Sequence, residues 1–390
     1  MSPSLSGRSR PPAAPGANLV EQVRPVPAPG PLDIAVEGGF DFLSDDYRTL
    51  FANSAATAFQ SPLWLHAIHR DLVPTLGAEP RTVTMRERNT GELVAVLPLV
   101  SQRSMGLTIM QPADFGVCDY NSIVASAPTF ERLVTDDRVA ESLKSALKPG
   151  SLLIYRKIRA DGLDIHRLFP AAQRTRNENA AFHSVIDNDF EAWRRRTLKK
   201  KFSKELNRMA RQVERDFGRY EHALATSEAE IREAFEFARQ ARTGRFDDDL
   251  FLRDAYFDFY LNFAIQGAMN NEAVTFVGRV AGSPVAMLFG PTGDGVFHAV
   301  VTASDTAQLG RFSPGMQILY EMIRQRFNEG HRTFDMGIGN TGYKSHFRVE
   351  ETALHNLTLA RTFAGATVSH IYRKANPVKN ILRRVVTKIR

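Results

Sequence analysis

The sequence predicts an α/β chain (α+β in the arrangement of its elements) built as two tandem units, each a mixed β-sheet flanked by helices. Three observations carry this. A fifteen-residue pattern occurs twice, the same order of elements comes after each copy, and the composition suits a globular chain of about two domains. Residues 83–97 read VTMRERNTGELVAVL and residues 274–288 read VTFVGRVAGSPVAML, at an offset of 191 without a gap, with seven of fifteen positions identical. Each copy is an apolar run, a polar stretch with Gly, and a second apolar run, the pattern of a β-hairpin. The 390 residues are 43% hydrophobic and 24% charged, near the average for globular proteins.

Taken in order, residues 1–31 hold eight of the twenty prolines among Ser, Gly and Ala. Such a segment buries too little apolar surface to offset its ordering entropy and reads as a disordered leader. The first unit is expected over 32–170: the hairpin, further strands, a helix near 138–147 and a strand over 151–158. The second spans 171–365. It opens with a basic helical run over 193–211, in which Trp193, Leu198, Phe202, Leu206 and Met209 recur about every four residues. Asp189 suits its N-cap. Helices near 227–239 and 250–268 precede the second hairpin. A strand over 296–302, a loop, a helix over 315–328 and a strand over 332–336 complete the unit.

Net charge is +7, and Arg373, Lys374, Lys379, Arg383, Arg384, Lys388 and Arg390 account for all of it, so the rest of the chain is neutral. Residues 366–390 therefore read either as an amphipathic helix for an acidic surface or as a solvated, fraying terminus. No apolar run reaches the length of a membrane span, and no secretory-type leader is visible. Cys118 stands alone, which excludes an intramolecular disulfide and a CxxC-type zinc site. These features predict a cytoplasmic protein, with peripheral membrane contact as the role left to its tail.

Hydrolase elbows, HExxH, P-loop and deaminase patterns are absent, and no metal is expected. Gly337, Gly339 and Gly342 satisfy GxGxxG, but the next residues, YKSHFR over 343–348, do not start an apolar helix, and no acid lies about twenty residues on, so a dinucleotide site is not implied. The loop QLGRFSPG, residues 308–315, lies between a strand and a helix. Ser313 suits an N-cap, Pro314 the first helical position and Gly315 a close approach, and free amides beside Arg311 make an anion site. Ordinary capping explains the same residues. Asp335 on an apolar strand and Lys344 after a Gly-rich turn suit either oxyanion chemistry or a structural ion pair. The basic run suits a phosphorylated substrate, RNA, or plain solvation.

The hairpin with VAM, the SPG helix start, FDMGIG and the Tyr343–Lys344 pair resemble the acetyltransferase domain of CelD-like proteins, FemAB-related members of the GNAT superfamily linked to polysaccharide biosynthesis. The early segment FQSPLWL and the basic helix after Trp193 resemble it too. The resemblance implies two GNAT-like units, with acyl-CoA between the splayed strands 296–302 and 332–336. Its diphosphate would rest on Gln308, Gly310, Arg311, Ser313 and Gly315. Lys344 would stabilise the oxyanion beside Tyr343, and Asp335 would act as base or orient the nucleophile. Asp119 and Tyr120 would face the cleft between units, and Lys200 and Arg208 would hold the substrate. The implied activity is transfer of an acyl group, acetyl from acetyl-CoA, to an amine or hydroxyl of a sugar or cell-surface precursor. Its alternatives are an aminoacyl-tRNA-dependent peptidyltransferase and a non-catalytic scaffold of polysaccharide synthesis.

Overall fold

The structure is a computed structural model describing residues 31–374 apart from Met105, Pro149, Asp187, Asn188, Phe246, Asp247, Asn340, Thr341 and Arg348. The leader, bar Pro31, and the tail beyond Lys374 lie outside the described residues. Strands β1 (Leu32–Glu37), β2 (Ala78–Pro80), β3 (Thr82–Glu87), β4 (Leu93–Leu97), β5 (Leu99–Ser104), β6 (Leu107–Pro112) and β7 (Leu152–Arg159) belong to the first half. Then come β8 (Gln173–Val185), β9 (Tyr220–Leu224), β10 (Ala273–Val280), β11 (Ser283–Gly293), β12 (Val296–His298), β13 (Val301–Ser304), β14 (Thr333–Ile338) and β15 (Glu350–Ala360).

Twelve strands join in one sheet in the order β2-β5-β6-β7-β15-β8-β14-β12-β11-β10-β9, with β13 also on β11, and β1-β3-β4 form a separate three-stranded sheet. Each flank contains one parallel pair with an antiparallel neighbour on its outer side. In the first unit β5 pairs antiparallel with β6, and β6 runs parallel to β7. In the second, β11 pairs antiparallel with β12, and β12 runs parallel to β14. The strands that come after each parallel pair are exchanged. β8, next in the chain after β7, pairs not with it but with β14, and β15, which comes after β14, crosses back to pair with β7 of the first unit. The exchanged strands also pair with each other along most of their length.

The two copies of the repeat are both hairpins, in different surroundings. β10–β11 lies in the large sheet and turns through Ala281 and Gly282, both at positive φ, as a two-residue turn requires. β3–β4 lies in the small sheet. Its chain continues through Pro98 into β5, so Pro98, which offers no amide to a ladder, marks the switch between sheets. The registers differ by two: Val83 faces Leu97, whereas Val274 faces Gly290. A shift of two keeps every side chain on its own face.

Two sequence expectations need correction. The strand over 296–302 is interrupted: β12 and β13 part at Ala299 and Val300, whose amides turn to Asp335 O and Phe289 O, both at 2.9 Å. The basic run is two helices, Phe190–Thr197 and Lys200–Phe217, broken at Leu198, which is extended. The cause is that Trp193 and Leu198 bury against the helix Pro314–Asn328, while Leu206, Met209 and Val213 bury with Leu309 and Phe312. One straight helix does not serve both surfaces.

At the β12–β13 break Gly290 passes so close that an added Cβ would stand 1.7 Å from His298 O. Gly290→Ala must push the strands apart, and we expect a loss of roughly 2 kcal/mol of stability, read as a lower denaturant midpoint at unchanged m-value. An unchanged midpoint would contradict this packing.

One aromatic core spans both halves. Pro62–Ala67, capped where Ser61 Oγ accepts the Trp64 amide, buries Trp64 at its centre. The Trp64 ring meets Phe259 and Phe263 of the helix Asp254–Met269, with centroids 5.1 and 4.7 Å apart.

Candidate active site

Parallel pairing places His298 directly opposite Asp335. Past that pair β13 turns away to β11 while β14 runs on through Met336, Gly337 and Ile338. The strands thus diverge at the point where Asp335 is held. Asp335 is 2% exposed. Its Oδ1 accepts the Tyr120 hydroxyl at 2.9 Å and the Gly337 amide at 2.6 Å. Arg159 Nη1 and His298 Nδ1 each stand 3.4 Å from Oδ2. Arg159 also lies over the Tyr120 ring and binds Asp161. Burial pushes the Asp335 carboxyl up, but His298, the Gly337 amide and Tyr120 together hold it below the usual value. It is a carboxylate at neutral pH.

Asp119, the residue before Tyr120, meets the same turn from the other unit. Gly337 adopts φ +73°, and a Cβ there would stand 2.7 Å from Asp119 Oδ2 and 3.1 Å from Ala299 O. Only glycine admits that carboxylate between the parting strands. Burial raises the Asp119 carboxyl to about 6; Lys157, Lys344 and His298 oppose the shift and Asp335 adds to it. Lys344 is 2% exposed and donates to the carbonyls of Gly337 (2.9 Å) and Ile338 (3.2 Å), its ammonium 4.9 Å from the Phe182 ring centre. These bonds satisfy carbonyls freed where β14 bulges against β8. Burial lowers Lys344 to about 8 against the pull of Asp119 and Asp335. Its hydrogen bonds therefore go to backbone rather than to an Asp335 ion pair.

A cleft of about 350 Å³ opens over Asp335, lined from the first unit by Tyr120, Asn121 and Arg159 and from the second by His183, Val296 and His298. The structure thus gathers Asp119, Tyr120, Asp335 and Lys344 around one turn; Tyr120 and Asp335 line the cleft, whereas Asp119 and Lys344 lie behind it and are not part of its lining. Tyr343 packs against the core of the second unit. Lys200 and Arg208 are exposed on the helix Lys200–Phe217 and do not line the cleft, and Arg208 is tied to Glu205 and Gln212 Oε1.

The loop before the helix Pro314–Asn328 is itself two short helical turns, Thr306–Leu309 and Gly310–Phe312. The Gln308 amide donates to Asp305 Oδ1 at 3.0 Å, and Gly310 begins the second turn. Arg311 is exposed over the Phe312 ring. Ser313 does hold the cap position but adopts φ +51°, and its hydroxyl makes no capping bond; its carbonyl accepts the amides of Met316 and Gln317. Gly315 packs against Ser304, where a Cβ would stand 3.2 Å from Oγ. A helix start with an uncommitted hydroxyl and an exposed arginine fits a diphosphate.

The equivalent gap in the first unit is filled. β6 and β7 share only the pairs Ile109–Leu152 and Met110–Leu153 before parting. Beyond them the Asn121 amide donates to Lys157 O, and its side chain donates to Arg156 O and Asp114 Oδ2. Lys157 binds Asp114 and the Cys118 carbonyl. The first gap thus holds a loop and the Lys157–Asp114 ion pair, whereas the strands of the second unit part around Asp335 and Lys344. Arg159 and His298 escaped sequence reasoning, because Arg159 is one of three cations on its strand and His298 ends a three-residue one; the register with Asp335 is what would have marked His298. Among the described residues no cluster of potential metal ligands occurs.

Residues 200–345 match the acetyltransferase (GNAT) domain family. No curated protein matches the chain. Among solved structures, the fold is similar to FemX at 11% identity, over 87% of this chain and 100% of that one, with a TM-score of 0.60. It is similar to L-PGS from Bacillus licheniformis at 12% identity, over 88% and 99%, with a TM-score of 0.52. A conserved protein of unknown function from Bacteroides thetaiotaomicron VPI-5482 gives 12%, 84%, 100% and 0.53 for the same quantities. At such identities these likenesses concern the fold. Together with the family match they show a GNAT-superfamily acetyltransferase-like fold, with an acetyltransferase (GNAT) domain over residues 200–345.

Proposed function

We propose that the protein transfers an acyl group from acyl-CoA, acetyl-CoA in the simplest case, to an amine or hydroxyl of a sugar-bearing or cell-surface precursor held between the two units. The observation that carries this is the pair of carboxylates on one glycine. Asp335 is held low by its partners and Asp119 is raised to about 6, the separation expected when one group binds charge and the other moves a proton. Asp335, with Tyr120 and Arg159, orients the acceptor in the cleft. Asp119 takes the proton the nucleophile gives up as the new C–N or C–O bond forms, and that proton goes on to the CoA thiolate released when the thioester C–S bond breaks. Lys344 fixes the turn that brings the two carboxylates together and places a positive charge beside it. Arg311, Ser313 and the amides at the start of Pro314–Asn328 would hold the diphosphate of the donor. When bound, acyl-CoA supplies the activated carbonyl.

The test is acyl transfer from radiolabelled acetyl-CoA to a panel of amino sugars and their nucleotide-linked forms. Asp335→Asn is expected to raise KM for the acceptor at least tenfold, since it removes the buried negative charge that Tyr120, the Gly337 amide and Arg159 converge on, with the rising limb of the pH profile kept. No labelled product from any acceptor, together with no thermal shift by acetyl-CoA, would sink the reading.

A second reading, transfer from an aminoacyl-tRNA, is supported by the exposed cations Lys200, Lys201, Lys204 and Arg211 on the helix Lys200–Phe217. Retention of charged tRNA that falls with salt and with charge reversal at Lys200 and Lys201 would favour it.

A further inference from the structure

We infer that His298 is a catalytic residue: its Nε2 takes the proton of the acceptor's amine or hydroxyl in the cleft and passes it toward the carboxylates at Gly337. This deepens the acyl-transfer reading above and rests on it. An acceptor in the cleft does not reach Asp119 directly, because Asp119 lies behind the lining. His298 does line the cleft, and it lies near both carboxylates. Its Nδ1 is 3.4 Å from Asp335 Oδ2. The next residue, Ala299, turns its carbonyl to the same side of Gly337 that Asp119 Oδ2 meets. The charges of His298 and Asp119 act on each other across that turn.

The ring is held as a proton carrier needs. His298 is 5% exposed. Phe59 and Tyr120 pack on it, with centroids 5.2 and 6.0 Å away. Nδ1 is sealed from solvent and faces Asp335. At 3.4 Å that contact is looser than a hydrogen bond, as catalytic contacts commonly are before substrate tightens them. Nε2 is not sealed and makes no hydrogen bond among the described residues, which leaves it to the cleft. A histidine that only filled space would not need a carboxylate at one nitrogen and an open cleft at the other. As the new C–N or C–O bond forms, the acceptor's N–H or O–H bond breaks and an Nε2–H bond forms. Asp335 holds the imidazolium as its counter-ion. The Nδ1 proton is handed to the carboxylate pair, where Asp119, the weaker acid of the two, keeps it. When the thioester C–S bond breaks, the path runs in reverse and Nε2 gives a proton to the CoA thiolate.

The experiment compares His298→Gln and His298→Ala with the wild type. His298→Gln is expected to lower kcat for acyl transfer by about a hundredfold or more, with the thermal shift by acetyl-CoA unchanged. Imidazole added to His298→Ala restores part of the rate, whereas pyrrole, which has the same shape but accepts no proton, restores none. In the wild type, diethyl pyrocarbonate is expected to modify His298, read by peptide mass spectrometry, by the time the exposed His370 is fully modified. A wild-type kcat in His298→Gln overturns the proposal and leaves the acyl-transfer reading standing. Rescue by pyrrole equal to that by imidazole makes the ring a packing group and overturns it too, as does an unmodified His298. A wild type that transfers no acyl group and shows no shift by acetyl-CoA fails the acyl-transfer reading itself, and this proposal with it.

Discussion

Asp119→Asn lowers kcat/KM for acyl transfer by about a hundredfold to a thousandfold, within the range that a positioned base contributes, and it removes the rising limb of the pH profile. The wild-type profile is expected to be a bell. Asp119, raised to about 6, is protonated and ineffective below that pH and accepts a proton above it. Lys344, lowered to about 8, carries its charge below that pH and loses it above, and with it the bonds that hold Gly337 and Ile338. Activity therefore rises through about pH 6 and falls through about pH 8. Asparagine keeps the shape of Asp119 against Gly337 but accepts no proton, so the rising limb vanishes and the falling limb stays. Lys344→Met does the reverse. The groups facing Asp119 are Lys157 and Lys344, His298 and Asp335, and each is fixed by the fold rather than by substrate. A variant Asp119→Asn with the wild-type rate and both limbs would remove the base from this site. The same raised value costs stability: that contribution is unharmed below the ordinary carboxyl range and is lost as pH climbs through about 6.

The second large effect concerns the exchanged strands. Residues 31–170 expressed alone are expected to form no cooperatively melting monomer, even though they contain the whole first copy of the repeat. In that fragment β7 loses β15, and with it Leu357 from the core formed with Leu153 and Tyr155. Its long apolar edge is then an unpaired template for aggregation. Trp64 loses Phe259 and Phe263 at the same time. Co-expression with residues 171–374 restores a soluble complex, because β15 and the helix Asp254–Met269 return together. Circular dichroism melting and size-exclusion chromatography decide the matter; a monomeric, sharply melting fragment would show that the exchanged strands are dispensable. The exchange also has a functional consequence. Asp119 and Tyr120 belong to one unit and Gly337 and Asp335 to the other, so the pairing that prevents separation is what aligns the carboxylates.

Much of this was legible in the residues alone. The hairpins at 83–97 and 274–288, the helix near 227–239 and the helix start at Pro314 all rest on local rules: alternation, periodicity, and the backbone needs of glycine and proline. Asp335 and Lys344 stood out because charge on an apolar strand and a lysine after a glycine turn are locally unusual. Other features depend on partners far apart in the chain. The break at Leu198 arises from two cores that lie on different elements. The switch of β4 and β5 between sheets is marked by Pro98 only once the sheets exist. Arg159 and His298 carry no signal until strand register sets them beside Asp335, and the filling of the first gap by Asn121 and Lys157 depends on a loop folding back across its own strands. Local sequence determined which elements form, because backbone preference and periodicity act over a few residues. Only the tertiary structure decided which unit keeps its gap and which carboxylate lies low, because burial and charge act through space between residues as distant in sequence as Tyr120 and Asp335.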